Sequence, residues 1–394
     1  MDAFFVEVER LREPGLRGVP VAVGGAGNRG VVASASYEAR RHGIRSAMPM
    51  AHARRQCPAL RVVAPDHRAY TDASHRVFEV MRSFTPAVEP LSVDEAFLDI
   101  GGLRLHYESP TAVAGAIRSA IRDQIGLPAS VGIATVKLLA KLASEDAKPD
   151  GLLVVAAGTE LQYLHPKAVR ALWGVGEATH ARLEQLGVKT IGDLAALPSE
   201  ALVRRLGPSL GAHLSALARA EDPRPVEAAG GAKSISVEQT YELDLVGRPA
   251  LEQELLRMSD RLALRLRRAG MATRTVALKV RFEDFSTITR SHTEPIPIDT
   301  SHDLYAVSLR LLDRAAVGDR PVRLLGVGGE SLTASGEPRQ LDLGGTGWGD
   351  LEDAVDEVRR RFGDEAVGPA RLAGSPEDSP AGTVDTPRDG GRAP

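Results

Sequence analysis

Two adjacent carboxylates, Asp94 and Glu95, interrupt an otherwise apolar stretch that runs from Pro90 to Ile100. The apolar flanks predict two buried strands with the acids at the hinge between them. Neighbouring carboxylates in such a place are costly to desolvate unless a cation satisfies them. A divalent ion such as Mg²⁺ suits them, because it prefers oxygen ligands and leaves positions open for phosphate oxygens. A tight turn that keeps both acids in water explains the segment equally well.

A second group of side chains suits a phosphate. Ser34 lies at the end of a predicted strand, and Tyr37, Arg40 and Arg41 fall within one turn of the predicted helix that follows. Hydroxyl groups, a guanidinium fork and a helix N-terminus together favour an anion. A solvated basic helix face is the commoner explanation of such a pattern.

Length and charge limit the class of protein. The 394 residues are too many for one compact core, so several domains are expected. The formal net charge of −3 argues by itself against a generally basic nucleic-acid-binding protein. However, the residues from Glu337 onward carry 13 acids and 7 bases, which leaves 42 bases and 39 acids before them. An acidic tail therefore masks a mildly basic body.

The single cysteine, Cys57, excludes an internal disulfide and fits a reducing compartment. At this position a small apolar filler is favoured over a nucleophile. The sequence shows no run of about 18 apolar residues, as a membrane-spanning helix needs. It also shows no signal peptide, so a cytoplasmic protein is expected.

The elements that position the carboxylates alternate between helix and strand. A helix is predicted to begin within the first turn of the chain, with Asp2 as its N-cap. The residue patterns then predict strands at 20–25 and 30–36, a short helix at 37–41, a helix at 70–84, the acidic hairpin, a helix at 111–125, a strand at 129–134, a helix at 136–147 and a strand at 151–155. From the helix at 70–84 onward, this is the order of a split βαβ (ferredoxin-like) sheet that lacks its first strand.

Gly174 and Gly176 introduce a different module. Their Gly-x-Gly turn between short helices resembles a helix-hairpin-helix, whose backbone N–H groups bind a DNA phosphate without reading sequence. A looser second copy is predicted at 206–211, where an ordinary bundle of short helices is the alternative. The segment 220–232 contains several Pro and Gly residues and has the composition of a linker.

Beyond the linker, residues 234–331 predict the order β-α-β-β-α-β, which indicates a second small α+β domain. Arg274, Lys279 and Arg281 alternate with apolar residues there, and Arg290 is expected to extend the same basic face. A plain solvated sheet face is equally consistent with this pattern. The tail contains a predicted helix at 351–362 and otherwise has the composition of a disordered segment.

Together these segments resemble the Y-family translesion DNA polymerases. The matching motifs are Met-Asp-Ala-Phe-Phe at 1–5, Ser-Tyr-Glu-Ala-Arg at 36–40, Ser-Val-Asp-Glu-Ala-Phe-Leu-Asp at 92–99, Val-Lys-Leu-Leu-Ala-Lys-Leu-Ala-Ser at 136–144, Ala-Lys-Pro-Asp-Gly at 147–151, Trp-Gly-Val-Gly at 173–176 and Lys-Ser-Ile-Ser-Val-Glu at 233–238. They occur in the family's order and cover about the first 335 residues. Several independent matches at consistent spacing are far more specific than any one of them.

The resemblance implies an α+β multidomain fold shaped like a right hand. The implied domains are a palm at 1–10 and 69–158, fingers at 11–68, a thumb with helix-hairpin-helix at 159–222, a linker at 223–233, a little finger at 234–335, and an acidic, largely disordered tail with a short helix at 336–394.

The resemblance also implies roles for individual residues. Asp94 and Glu95 would be ligands of two Mg²⁺ ions, for which Mn²⁺ is a substitute, and Glu95 would be the catalytic carboxylate. Phe5 would be the steric gate, filling the space that a ribose 2′-OH needs. The nucleotide-binding residues would be Phe4, Ser34, Tyr37, Arg40 and Lys148. The DNA-binding residues would be Gly174, Gly176, Arg274, Lys279, Arg281 and Arg290.

The sequence departs from the family pattern at both ends. The family begins with an apolar strand that ends in a metal-binding Asp, and here Met1 stands directly after that position. The missing carboxylate predicts weak metal binding, and we expect a start codon assigned too late. Near the other end, Gln340, Leu341 and Leu343 resemble the peptide that docks on the sliding clamp, without its final aromatic residue.

The sequence therefore predicts a low-fidelity, template-directed DNA polymerase for translesion synthesis. Its expected partners are primer-template DNA, dNTPs and the sliding clamp through 340–344, and a monomer is expected. A catalytically impaired adaptor of the same family is the alternative, favoured by the missing Asp and opposed by the retained nucleotide site. A helix-hairpin-helix nuclease or structural DNA-binding protein is the third, and it leaves Tyr37, Arg40 and the steric gate unexplained.

Overall fold

A computed structural model of the chain describes residues 1–228, 231–335, 348–364 and 366–372. The chain divides into two compact units, one formed mainly by the residues before 231 and the other mainly by the residues after it. The division falls inside the segment 220–232, whose composition predicted a linker. The predicted clamp segment 340–344 lies outside the described residues.

The first unit contains the acidic hairpin and the helices that bury it. Its central elements are helix α1 (Phe4–Arg12), helix α4 (His67–Phe84), strand β4 (Val88–Pro90), strand β5 (Ala96–Leu98), helix α5 (Pro110–Ile125), strand β6 (Val131–Ile133), helix α6 (Lys137–Asp146) and strand β7 (Leu152–Val154). Valine, isoleucine and phenylalanine side chains of α1, α4 and α5 form one buried core. The predicted order of helices and strands is observed.

The sheet of this region consists of two separate pairs. Strands β4 and β5 are antiparallel, whereas β6 and β7 are parallel. Within the described residues, β5 and β6 do not pair with each other. The predicted split βαβ sheet is therefore present as two halves, each held against the helices by its apolar side chains.

The predicted N-cap role of Asp2 is wrong. The residue before α1 is Ala3, which has a left-handed backbone (φ 45°) and makes no side-chain cap. The Asp2 carboxylate turns instead to another part of the chain, where it accepts hydrogen bonds from the backbone N–H of Asp150 at 2.6 Å and from Ser130 Oγ at 2.9 Å. Because Asp2 is only 1% exposed, these partners offset the cost of burying its charge.

A smaller sheet lies beside this core. It consists of β2 (Val32–Ala35), β1 (Val21–Gly24) and β3 (Arg61–Val63) in that order, together with the helices α2 (Tyr37–Arg41) and α3 (Met50–Gln56). Ser36 caps α2 by accepting from the Ala39 backbone N–H at 3.1 Å. Cys57 is 3% exposed and packs in the core of this sheet, as an apolar filler does.

Five short helices complete the first unit. They are α7 (Glu160–Leu164), α8 (Glu177–Glu184), α9 (Ile191–Ala196), α10 (Ser199–Leu206) and α11 (Pro208–Leu217). A capping box between Thr190 and Asp193 begins α9. At the predicted second copy, Gly207 alone connects α10 to α11 with a φ of 93°. Gly211 is required nearby, because a Cβ there would lie 2.6 Å from the Leu202 carbonyl.

The second unit has the predicted order β-α-β-β-α-β. Its elements are β8 (Ser234–Leu245), α12 (Arg248–Arg268), β9 (Met271–Phe282), β10 (Thr287–Ile298), α13 (Ser301–Ala315) and β11 (Val322–Ala334). The strands form one antiparallel sheet in the order β10-β9-β11-β8. Helices α12 and α13 pack on one face, where Val276, Leu278 and Val280 are buried.

The tail helix α14 (Trp348–Phe362) belongs to the second unit and begins three residues before the predicted position. Arg267 of α12 contacts Glu352 at 2.8 Å and Asp356 at 2.7 Å. Arg359, which is 3% exposed, donates to Asp260 of α12 at 2.7 Å. Ion pairs between buried groups therefore attach α14 to α12.

We predict that Arg359→Ala destabilises the second unit by about 2–4 kcal/mol, because Asp260 then remains buried without its partner. Burial already raises the pKa of Asp260, although Arg359 opposes this. Urea unfolding measures the change, with Trp348, which stacks on His302, as a fluorescent probe. Arg361→Ala is the control, since its pair with Glu357 is exposed. Equal effects of the two substitutions would contradict a buried attachment.

Candidate active site

The acidic pair lies in the turn of the β4–β5 hairpin, as predicted. The backbone N–H of Leu91 closes this turn by donating to the Glu95 carbonyl at 2.8 Å. Ser92 Oγ donates to Asp94 Oδ1 at 2.9 Å. The turn therefore holds both carboxylates at one end of the hairpin, where they remain partly exposed.

Each carboxylate faces a cation. The amino group of Met1 donates to the Asp94 carbonyl at 2.8 Å and lies 3.8 Å from Asp94 Oδ2. Lys141 Nζ, from α6, donates to Glu95 Oε2 at 2.9 Å. Burial opposes ionisation of Glu95, but Lys141 and Lys148 outweigh it and lower the pKa of Glu95 below its ordinary value. Glu95 is therefore ionised at neutral pH.

Tyr37 and Arg40 are brought together on α2. The Arg40 guanidinium lies 4.8 Å from the centre of the Tyr37 ring, and its Nε donates to the Ala35 carbonyl at 3.0 Å. The Tyr37 hydroxyl is buried and has no hydrogen-bond partner. Burial, with the Asp2 charge as the next cause, raises the pKa of Tyr37 to about 12. A neutral phenol without a partner is a donor available to a ligand.

Lys148 and Ser34 complete the predicted phosphate-binding group. Lys148 Nζ donates to Glu145 Oε1 at 2.6 Å, and its charge also acts on Glu95. Glu145 acts electrostatically on Tyr37 as well, so the lysine lies among the same groups. Ser34 is a buried residue of β2, 7% exposed.

The two phenylalanines at the start of α1 have different environments. The Phe5 ring stacks on Tyr70 of α4, with 4.2 Å between ring centres and 13° between planes. Tyr70 is itself fixed, because its hydroxyl donates to Glu9 Oε1 at 2.6 Å. Phe5 is thus a rigid, partly exposed wall. Phe4 is 4% exposed and belongs to the core, and its contact with a nucleotide stays a prediction.

A cluster of cations and aromatic rings near Glu95 was not predicted. Asp222 accepts from the Leu138 backbone N–H at 3.0 Å and from Arg224 Nε at 2.6 Å, so it caps the start of α6. The Arg224 guanidinium lies 4.9 Å from the centre of the Trp173 ring. The motifs at 136–144 and 173–176 were the sequence signals for this region. Asp222 and Arg224 lie in the predicted linker segment 220–232, and no sequence motif indicated a role for them.

The turn at Gly174 and Gly176 precedes α8 as predicted. Gly174 has a φ of 99°, which favours glycine, and Gly176 occupies the N-cap of α8. The backbone N–H of Val169 donates to the Lys189 carbonyl at 2.9 Å and thereby holds the segments before α8 and α9 together.

The four basic residues of the second unit do not share one face, so this prediction is wrong. Along β9 the even-numbered residues face the helices, and Lys279 and Arg281 face the open side. Arg274 has the parity of the helix-facing residues. Arg290 pairs in register with the buried Leu278, and its Nε donates to the carbonyl of Arg314 in α13 at 3.3 Å.

The open face carries small hydroxyl residues that sequence reasoning missed. Thr289 and Thr287 of β10 lie in register with Lys279 and Arg281 of β9. The other residues of this face are small: Ser291 and Thr293 of β10, Thr275 of β9, Gly326 and Gly328 of β11, and Ser234 and Ser236 of β8. Every second residue of β10 from Thr287 to Thr293 carries a hydroxyl group, and this alternation was the available signal.

Comparisons with known proteins agree with this architecture. The model of the impB/mucB/samB family matches residues 1–145, and that of the family's C-terminal domain matches residues 232–343. A model described as the thumb domain of DNA polymerase iota matches residues 170–222. A solved Y-family DNA polymerase chimera superimposes with a TM-score of 0.78 at 25% identity, over 84% of this chain and 97% of that one.

Curated relatives extend the match along the chain. The DNA polymerase IV of Streptomyces coelicolor is 46% identical over 84% of this chain and 70% of its own length. That of Desulfatibacillum aliphaticivorans is 43% identical over 94% of this chain and 95% of its own.

A hairpin of carboxylates, a thumb and an α+β C-terminal domain define a Y-family DNA polymerase, a template-directed enzyme of translesion synthesis. The chain belongs to this family, in the group of DNA polymerase IV. It is thus a DNA-directed DNA polymerase, and the alternative of an impaired adaptor is not favoured. None of the described helices is long and apolar enough to span a membrane.

Enzymes of this family generally depend on divalent metal ions. The chemistry of the carboxylate pair fits such an ion, because Mg²⁺ is commonly held by one or two carboxylates together with substrate phosphates. The buried Tyr37 hydroxyl without a partner also suits a bound triphosphate. The described residues contain no group of three or more His, Cys, Asp or Glu side chains placed to hold a metal ion.

We predict that Asp222→Ala destabilises the first unit by about 1–3 kcal/mol, because α6 loses its cap and Arg224 its partner. Burial opposes ionisation of Asp222, but Arg224 and the Leu138 N–H lower its pKa below the ordinary value. Its contribution is therefore present above the ordinary aspartate pKa and is lost as the pH falls through the lowered one.

Urea unfolding at several pH values measures this effect. The difference between the native chain and Asp222→Ala should shrink as the pH falls below about 4. Glu221→Ala, which changes an exposed neighbour, is the control. A difference independent of pH, or an equal effect of the control, would show that the carboxylate is not the stabilising group.

Proposed function

We propose that Asp94 and Glu95 hold the divalent ions of nucleotidyl transfer from a dNTP to the primer 3′-OH, with Glu95 as the catalytic carboxylate. The observation that supports this proposal is the charge of Lys148, which acts on Glu95. Lys148 also pairs with Glu145, whose charge acts on Tyr37, and the buried Tyr37 hydroxyl has no partner. Mg²⁺ fits the oxygen donors, and Mn²⁺ is its substitute. When bound, such ions stabilise the attacking oxygen and the leaving pyrophosphate.

The triphosphate is held by Tyr37, Arg40 and Lys148. The Tyr37 hydroxyl, neutral because its pKa is raised, donates a hydrogen bond to a phosphate oxygen. The Arg40 guanidinium and the Lys148 ammonium neutralise negative charge on the phosphates. Ser34, in the strand before α2, and Phe4, in the core of the first unit, are the other proposed nucleotide-binding residues.

Phe5 excludes ribonucleotides. Its ring is fixed against Tyr70, which is fixed in turn by Glu9, so it has little freedom to move away from a 2′-OH. A rigid apolar wall rejects an added hydroxyl by steric overlap and by the cost of burying an unpaired polar group.

DNA is bound by backbone contacts on both units. The turn at Gly174 and Gly176 offers N–H groups to a phosphate. Lys279 and Arg281 act on the open face of the second unit together with its hydroxyl residues. Arg290, whose side chain lies on the helix face, is a weaker candidate than its sequence pattern indicated. Arg274, whose Nε donates to the Glu294 carbonyl of β10 at 3.4 Å, is also a weaker candidate.

Three further proposals rest on sequence and resemblance. Gln340, Leu341 and Leu343 bind the sliding clamp. The enzyme acts as a monomer in the cytoplasm. The chain is divided into palm, fingers, thumb, linker, little finger and tail at the boundaries given above.

Primer extension with Mg²⁺ and dNTPs tests the proposed site. Glu95→Ala should reduce template-directed extension on the order of 10³-fold or more, because an ion ligand and transition-state charge stabilisation are lost. Glu89→Ala is the matched control in the same hairpin, since its carboxylate pairs with Lys137. In the same assay Phe5→Ala should admit ribonucleotides. Extension that is unaffected by Glu95→Ala would reject the assignment.

We predict that Arg281→Ala lowers the salt dependence of primer-template binding by about one unit of log Kd per log salt, because one phosphate contact is lost. Arg290→Ala, an arginine on the opposite face of the sheet, should leave it unchanged. Fluorescence anisotropy across a NaCl series measures both slopes. A loss of slope in Arg290→Ala alone would place the DNA-binding face on the helix side.

A further inference from the structure

Lys141 pairs with Glu95, the carboxylate that the proposed function assigns to a metal ion. Its ammonium donates to Glu95 Oε2 at 2.9 Å. The side chain of Lys141 is 27% exposed and that of Glu95 is 32% exposed. Water therefore reaches the pair, and a pair of this kind contributes little to stability. The contact can open without unfolding the surrounding chain.

The neighbouring lysine on α6 provides a contrast. Lys137, one turn earlier, lies 2.5 Å from Glu89 Oε2 and is 9% exposed. Its ammonium also lies 5.3 Å from the centre of the Phe97 ring. Lys137 thus makes a buried structural contact, whereas Lys141 pairs with the carboxylate of the reaction itself.

An ammonium and a divalent ion compete for one carboxylate. Both need its oxygen lone pairs at close range, and their like charges repel each other strongly where solvent is partly excluded. While it pairs with Glu95, the Lys141 ammonium also lies 5.9 Å from the centre of the Trp173 ring, which the Arg224 guanidinium contacts as well. That ring borders a groove between α6 and the turn at Gly174.

We propose that Lys141 is a positioning residue that holds Glu95 while no nucleotide is bound and competes with a free divalent ion for it. This inference rests on the proposed assignment of Glu95 as a metal ligand. An ion that arrives with a triphosphate brings negative phosphate oxygens, which compensate the repulsion from Lys141. The lysine therefore disfavours the ion alone and favours the ion–nucleotide complex.

Binding of Mn²⁺ alone to the nucleotide-free full chain, followed by electron paramagnetic resonance, tests this proposal. Lys141→Met keeps the length of the side chain and removes its charge. It should raise the affinity for Mn²⁺ by about threefold to tenfold, as expected for removal of a partly exposed competing charge. Lys141→Arg keeps the charge and should leave the affinity low. Lys137→Met, the matched control on the same helix, should not raise it.

Terbium(III) luminescence is a second measurement, because Trp173 lies beside the site and transfers energy efficiently only to a nearby ion. Lys141→Met should increase the sensitised signal at low Tb³⁺, and the double variant with Glu95→Gln should lose this gain. If binding depends on Glu95 but Lys141→Met changes nothing, or if Lys137→Met has the same effect, the competition is disproved. If no binding depends on Glu95, the metal assignment fails together with this inference.

Discussion

The structure of the first unit depends on the need to keep acidic groups ionised where water is partly excluded. Glu95 satisfies this need through Lys141, Asp222 through Arg224 and a backbone N–H, and Asp2 through Ser130 and the backbone of Asp150. Each acid is thereby tied to a distant part of the chain. The buried acids Asp2 and Asp222 hold the start of α1 and α6 in place, because an unpaired charge there would be strongly destabilising. The partly exposed pair of Glu95 and Lys141 contributes less to stability.

Such ties also explain why a polymerase site can be prepared without its ions. Two neighbouring carboxylates repel each other unless positive charges lie near them. Here the cations are Lys141 on α6 and Lys148, which follows that helix. The two lysines therefore stabilise the ionised form of Glu95 without help from a bound cation.

Local sequence patterns were sufficient to predict most of the helices and strands. The six helices and strands from β8 to β11 follow apolar periods of two and 3.6 residues, so their order and approximate limits were predictable. The acidic hairpin was equally clear, since apolar strands flank it on both sides. Strand β3 and helix α3 were missed, because the segment from Met50 to Val63 carries four arginine and histidine residues and has no clean period. The motif resemblance then named the site residues that periodicity could not.

The errors arose where a side chain had two possible partners. Asp2 had the position of an N-cap, but a buried backbone N–H 148 residues away was available to it, and no local rule anticipates that. Asp222 looked like part of a linker for the same reason.

The prediction that Arg274 shares a face with Lys279 failed for a different reason. Residues 274 and 279 are separated by an odd number, and an unbroken strand therefore places them on opposite faces. That error was avoidable from the sequence alone.

The tail shows that a count of charges does not reveal what the charges do. As a sum, the acids after Glu337 offset a mildly basic body. In the structure, however, Glu352 and Asp356 form ion pairs with Arg267 of α12, and Arg359 of the tail helix forms one with Asp260. Charges so closely paired contribute little field at a distance, because each pair is nearly neutral beyond a few ångströms and salt screens the remainder. The paired acids of α14 therefore do little to cancel the field of the basic residues elsewhere on the second unit.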